Sequence, residues 1–407
     1  MTDRPFRLIH TSDWHLGHEL HGHDRAEEHD AFLNWLPGEL VTQQADAMVV
    51  TGDVFDVANP SVPTMHRFYG FLREALDRCP MLHIVVVGGN HDSAARINLP
   101  GALLGRGRVH LIGCLPRVER ALDLDRLLVP LPGRCGAPAV WLAAIPYCRP
   151  GDLGQADLPS LYDEVLTAAQ AHCDGLPVVL TGHLHVSGGE VSMDSERRIV
   201  VGGEEAHAAS LFDARAAYVA LGHLHRPQVI RGTTAIRYAG SPFPLSATER
   251  HYRHSMPVVD LAPGGVSVTE VPIPRLAPFL ALPQAGARPI AEVEALLAAF
   301  DFGAPATLGA RPFLEVSVLL PRPEPGVTAR IQAALEGKPV RLTRVQPVYP
   351  DGSGSGAIAS RAEALAELDH GQVFAELHRL KHGSAPEPAL AEAFQRLLIE
   401  TQGEDVP

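Results

Sequence analysis

The feature that most constrains this chain is a recurrence. Five times, a short apolar run is followed at once by a turn carrying aspartate, asparagine or histidine. The runs lie at 6–10, 47–50, 83–87, 178–180 and 218–221. The turns are Ser12-Asp13-Trp14-His15, Gly52-Asp53-Val54-Phe55-Asp56, Gly89-Asn90-His91-Asp92, Gly182-His183 and Gly222-His223-Leu224-His225. Runs this short, rich in Val, Ile and Leu and bounded by Gly, Asp or Asn, read as buried strands. Helical spacing lies between them, as in 31–40 and 64–76. Strands alternating with helices predict an α/β layered core.

Loops at the ends of neighbouring strands converge in space, so the five turns can meet at one sheet edge. Together they offer Asp13, Asp53, Asn90, His15, His183, His223 and His225. Carboxylate, amide oxygen and imidazole suit a pair of divalent ions such as Mn, Fe, Zn or Co, and no thiolate is offered. Alternation along an extended strand end is expected to put Asp13 with His15, and His223 with His225, on the same side. Asp53 is the candidate bridge, because its two oxygens let one residue hold two cations about 3.5–4 Å apart. One such pair is a chance event in many chains, whereas five strand-end turns in series are not. With 21 histidines in the chain, many are incidental. His185 is read as a bystander, and His18, His21, His23 and His29 as decorations of a polar loop and helix start.

Beyond residue 272 the texture changes. Pro272, Pro274, Pro278 and Pro283 cluster, and a helix, strand, helix and strand follow in the pattern of 290–300, 313–320, 327–335 and 340–348. This predicts a small α+β module over 275–348, after a larger domain of 1–274. Residues 349–356 contain Asp351-Gly-Ser-Gly-Ser-Gly356, a flexible linker by composition. Two amphipathic helices are expected over 357–407, one with Phe374, Leu377 and Leu380, the other with Phe394 and Leu397. Two tethered helices cannot bury both apolar faces alone. They either fold back on the core or dock on a partner.

The net charge of -13 argues weakly against a nucleic-acid partner over the whole chain. From Asp351 to Pro407, however, there are ten acids and four bases, so that segment holds -6 of it. The five cysteines, at no metal-type spacing, read as free thiols of a reducing compartment. No apolar run approaches the roughly 18–20 residues that span a bilayer, and 6–12 reads as a strand, not a secretory signal. The expected location is the cytoplasm, associated with the nucleoid, without a membrane partner.

The order of turns resembles the calcineurin-like metallophosphoesterase superfamily, D-x-H, G-D, G-N-H-D/E, H and G-H-x-H. That resemblance implies a β-sandwich flanked by helices with a dimetal site at the sheet edge. Asp13, His15, Asp53 and His225 would hold one metal, and Asp53, Asn90, His183 and His223 the other. His91 would stand beside the site, and histidine suits a general acid near neutral pH. Within the superfamily, Ile9-His-Thr-Ser-Asp-Trp-His-Leu-Gly17, Gly52-Asp-Val-Phe-Asp56, Gly89-Asn-His-Asp-Ser93, Ala220-Leu-Gly-His-Leu-His-Arg226 and Tyr238-Ala-Gly-Ser-Pro242 are similar to the SbcD family. That family implies a manganese-dependent 3′ to 5′ exonuclease on duplex DNA that also cleaves hairpins and blocked ends. It further implies a capping domain over 275–348, and a C-terminal helix-loop-helix gripping the coiled coil of an SbcC-type ATPase. The assembly would be a homodimer within a heterotetramer, gated by the partner's ATP, since this chain has no phosphate-binding Walker A sequence. Asp56 stands where archaeal and eukaryotic relatives carry a second catalytic histidine. Its expected part is therefore to support a ligand from behind, or to serve the fold alone. Rival readings are a phosphoesterase of the same superfamily acting on phosphoproteins or cyclic nucleotides, and an inactive scaffold.

Overall fold

The computed structural model describes residues 4–101, 107–154, 156–192, 206–262 and 264–350, and isolated positions between 374 and 394. Two six-stranded sheets face each other. The first runs in the order Gly265–Pro272, Ser255–Ala262, Phe6–Thr11, Ala47–Thr51, His83–Val87, Val109–Ile112. Its last four strands are parallel. The second runs Gln228–Ile230, Ala235–Tyr238, Tyr218–Gly222, Val178–His183, Pro138–Ala143, Leu128–Pro132. Its middle four strands are parallel.

The pleat explains the layers. Leu8, Val49, Val85 and Val87 point inward and join Leu142, Val179 and Leu221 in the core between the sheets. Their neighbours Ile9, Met48, Val50, Ile84 and Val86 point outward, against Phe32 and Leu36 of the helix Ala26–Thr42 and Phe68 and Phe71 of the helix Val62–Arg78. Burial on both faces is why these strands read as unbroken apolar runs in the sequence. Because the strands that end in the five turns are parallel within each sheet, their C-terminal ends gather at one edge, where α/β sheets place their ligands.

Residues 279–348 build a third sheet, Phe279–Leu282, Phe313–Leu319 and Arg341–Val348 with the short Arg288–Pro289. The helices Ile290–Ala299 and Val327–Ala334 cover it, and Leu282, Val293, Leu297, Val316, Val318 and Ile331 form its own core. It is fastened to the sandwich by buried charge. Arg25 and Arg341 share the Glu28 carboxylate at 2.9 and 3.7 Å, and the Arg341 guanidinium lies 3.6 Å above the Phe313 ring. Carbonyls of Pro244, Gly309, Arg311 and Asp24 accept further guanidinium N–H groups. Two cations over one carboxylate are tolerable in a dry place only with that many acceptors.

Two of the histidines expected on a polar surface are placed by tertiary contacts instead, one in the sandwich core and one in this junction. His29 is buried against Phe243, and His23 Nε2 is 2.8 Å from the Leu342 carbonyl. The sequence carries no sign of this, because the covering residues come from far along the chain. No helix among the described residues is long and apolar enough to cross a membrane. Residues 351–356 of the linker and most of the helix-loop-helix expected over 357–407 lie outside the described residues. Within that stretch Phe374 and Phe394 are helical, and their rings stack with centroids 4.2 Å apart.

Candidate metal centre

The first two turns run side by side beyond their strands. Asp13 N donates to Gly52 O at 3.0 Å, His15 N to Asp53 O at 3.0 Å, and Leu16 N to Val54 O at 2.9 Å. Between Asp13 and His15, Trp14 is fully buried among Phe32, Phe68 and Phe71, and its indole donates to Thr11 Oγ1. That anchor fixes the turn from below. The alternation expected for Asp13 and His15 is not how they meet. Both have left-handed backbone, φ 53° and 43°, as do Asp53 at 49° and His223 at 101°. Non-glycine residues hold such angles at a cost of order 1–3 kcal/mol each, and only where surrounding structure enforces them. His223 and His225 also part company, each going to a different group of donors.

Asp13, His15 and His225 bring one ligand atom each to within 4.8 Å of one another, and so do Asp13, Asp53 and His183. Asn90 Oδ1 joins the second group, 2.8 Å from His183 Nε2 and 3.2 Å from His223 Nδ1. All seven sequence-derived ligand candidates therefore gather in one place. A third group, His15, Asp53 and His91, is equally tight. His185, half-buried, enters none of these groups.

The far sides of the imidazoles are held. His183 Nδ1 donates to the Thr51 carbonyl at 2.8 Å, leaving Nε2 between Asn90 and Asp53 Oδ2, the latter at 3.3 Å. His15 Nδ1 is 3.2 Å from Asp56 Oδ1, and His225 Nδ1 is 2.9 Å from Glu249 Oε1. A carboxylate can only accept, so each of those nitrogens is the donor. The opposite nitrogen then presents a lone pair toward the cluster, the arrangement usual behind metal-bound histidine. Asp56 thus stands behind His15. Glu249 gives no sign of itself in the sequence: it lies 24 residues beyond its partner, and a buried glutamate there carries no local signal. Asp92, at the end of the third turn, accepts from the N–H groups of Val54, Phe55 and Gly89 and ties the second turn to the third.

Charge in the cluster is out of balance without a cation. Asp13 and Asp53 are 0% and 2% exposed, and among the described residues neither pairs with a lysine or arginine. Burial works to raise the Asp53 carboxyl, but His183, His15 and His91 together outweigh it and hold it well below the usual carboxylate range. Burial works to lower His183, and Asp53 overrides it, raising His183 to about 9. A proton on His183 thus stands where a metal would put its charge. Burial foremost, then the His183 charge, lowers His223 to about 3, so it is a neutral donor. His15 Nε2 is buried without a hydrogen-bond partner, 3.6 Å from Asp53 Oδ2. An orphaned imidazole nitrogen aimed at buried carboxylates, in a set of oxygen and nitrogen donors, fits divalent metal ions.

Close approach of backbone makes the cluster possible. A Cβ on Gly89 would lie 2.2 Å from Asp53 Oδ1 and 2.3 Å from Asp53 N. Gly89→Ala is expected to push Asp53 off its place and lower the metal content of the purified protein. Gly70→Ala, where a Cβ meets nothing within 4 Å, should leave metal content unchanged. Equal metal in both variants would contradict this account of the turn.

Comparison with known proteins agrees with the geometry. Residues 6–227 match the calcineurin-like phosphoesterase family. Residues 276–382 match a family described as type 5 capsule protein repressor C-terminal domain. The SbcD component of the nuclease SbcCD from Rhodobacter capsulatus is 39% identical over 361 residues, 85% of this chain and 88% of that protein. Its counterpart in Escherichia coli K12 is 38% identical over 266 residues, 60% of this chain and 62% of that protein. In Bacillus subtilis the figures are 36% over 274 residues, 63% and 67%.

Proposed function

Because the chain belongs to the calcineurin-like phosphoesterases, and among them to the SbcD family of nuclease subunits, we propose that it is the metal-dependent DNA nuclease subunit of an ATP-dependent repair complex. The observation that carries the reading is the buried Asp13–Asp53–His cluster with its orphaned His15 nitrogen. Asp13, His15, Asp53 and His225 would hold one divalent ion, and Asp53, Asn90, His183 and His223 the other, manganese being the proposed metal. When bound, such ions supply Lewis acidity toward a phosphodiester and make water nucleophilic at neutral pH.

The chain's own residues do the rest. Asp53 draws the two halves of the site together, since its Oδ2 faces His15 and His183 at 3.6 and 3.3 Å. The Thr51 carbonyl, Asp56 and Glu249 fix which nitrogen of His183, His15 and His225 faces inward. Asp92 keeps the second and third turns in step. His91 is held at Nδ1 by the Asp56 carbonyl, 2.8 Å away, and its main-chain N–H donates to Asp53 Oδ1. Its Nε2 would pass a proton to the leaving alkoxide oxygen from the imidazolium form, in which both ring nitrogens carry hydrogen, and return to the neutral Nδ1–H form.

The substrates proposed are duplex DNA, degraded 3′ to 5′, and hairpins or blocked ends cut internally. The test is cleavage of blunt duplex and hairpin DNA with manganese and with a chelator. Metal-dependent cleavage of both supports the proposal, and hydrolysis confined to phosphoprotein or cyclic nucleotide would overturn it. The proposed organisation is 1–274 nuclease domain, 275–348 capping domain, 349–356 linker and 357–407 partner-binding helices. The site of action is the cytoplasm, at the nucleoid.

The partner proposed is a coiled-coil ATPase of the SbcC type, in a heterotetramer built on a homodimer of this chain. The acidic balance of the tail suits a protein partner better than DNA. Truncation at Gly356, or Phe374→Asp with Phe394→Asp, should abolish co-elution with the ATPase, since burial of each such side chain is worth about 1.5–3 kcal/mol. Metal content and ATP-independent cleavage should persist. Full-affinity binding by the truncated chain would show that the tail is not the docking element.

A further inference from the structure

His225 differs from the other cluster histidines in what stands behind it. Thr51 and Asp56, which hold His183 and His15, belong to the first sheet's own strand ends and turns. Glu249 belongs to a short 3-10 turn, Ala247–His251, with no strand of its own. Its side chain is fully buried, and both carboxylate oxygens are used: Oε1 faces His225 Nδ1 at 2.9 Å and Oε2 accepts from Leu245 N at 2.7 Å. The second bond matters, because it fixes the carboxylate plane and leaves only Oε1 for the histidine.

The same turn touches the third sheet. Arg250 faces Glu315 of the strand Phe313–Leu319 at 3.7 Å, and Arg275 donates to the Arg250 carbonyl at 3.2 Å. We propose that Glu249 is a positioning residue for His225, fixing the tautomer that presents Nε2 to the Asp13–His15 group, and that its turn ties this half of the site to the 279–348 module. The inference rests on the metal-site reading above. Glu249 touches no substrate and acts through His225.

Glutamine at 249 separates this role from mere packing. Glu249→Gln keeps the volume but has one acceptor and one amino group. If its oxygen serves Leu245 N, its amino group faces His225 Nδ1, which must then accept and leave Nε2 protonated and unable to bind metal. If its oxygen serves His225, its amino group meets the Leu245 N–H. The first arrangement keeps both bonds by flipping the His225 tautomer and avoids setting two N–H groups against each other, so it is the favoured one, whereas a filler of space would not notice the change.

The experiment has two readouts on the full chain. In metal-free wild-type protein labelled with nitrogen-15 in histidine, the His225 ring should show the Nδ1–H tautomer. Manganese titration by calorimetry should find one of two sites weakened about 10–100-fold in Glu249→Gln, the usual scale for a group behind a metal-bound histidine. The other site should be unchanged. In a His225→Ala background, Glu249→Gln should add no further loss, because the effect runs through His225. An Nε2–H tautomer in wild-type protein, or two unchanged sites in Glu249→Gln, would overturn the proposal. The tautomer is read on wild-type protein and without metal, so a variant that fails to fold does not shield the idea. A wild-type chain with the Nδ1–H tautomer that binds no manganese would instead overturn the metal-site reading itself, and this role with it.

Discussion

Asp53→Ala is expected to yield a folded chain that has lost nuclease activity and most of both metals. The side chain is the meeting point of the cluster, facing His15 and His183 and accepting the His91 main-chain N–H. Its removal takes the shared anion from both halves of the site and the counter-charge from His183, which Asp53 holds up at about 9. His183 then loses its chief reason to be charged, and no oxygen remains to span two cations. Asp13→Ala should be milder and uneven, weakening one ion more than the other. Metal analysis of the purified variants by mass spectrometry, with circular dichroism to establish folding, decides the matter. Two fully occupied ions in Asp53→Ala protein would remove the bridging role.

His91→Ala should lower turnover by at least about 10²-fold, the usual lower scale for a positioned acid. Metal content and DNA affinity should change little. The structure makes this a sharp test, because His91 also forms a tight group with His15 and Asp53 and its ring centroid is 4.8 Å from that of His15. If His91 were a ligand, the variant would lose metal together with activity. If it is the acid, a substrate whose leaving group needs no proton, such as a nitrophenyl ester, should be cleaved by the variant far better than DNA. Near-normal cleavage of DNA would mean that the leaving oxygen takes its proton elsewhere.

Much of this molecule is legible along the chain. Runs buried on both faces are unbroken apolar stretches, so 47–50, 83–87 and 218–221 stand out as strands without any knowledge of their neighbours. Both helices of the third sheet and two of its strands follow from their spacing in the same way, whereas Phe279–Leu282 and Arg288–Pro289 do not. The ligand candidates are legible because donor chemistry is a property of residue type, and a parallel strand delivers whatever follows it to the same edge.

Tertiary structure alone decided how those donors are held. Alternation paired Asp13 with His15 for the wrong reason, since the strand ends at Thr11 and a left-handed turn pinned by buried Trp14 brings them together instead. The partition of His223 and His225 between two groups needed both sheets in place. Asp56 acquired its partner 41 residues away, Glu249 its partner 24 residues away, and His23 a carbonyl 319 residues away. The reason is physical: a residue's own type and its neighbours fix its backbone preference and its donor atoms. The partner that sets a tautomer, a charge or a buried place is chosen by which segments the packed sheets bring together, and no local pattern records that.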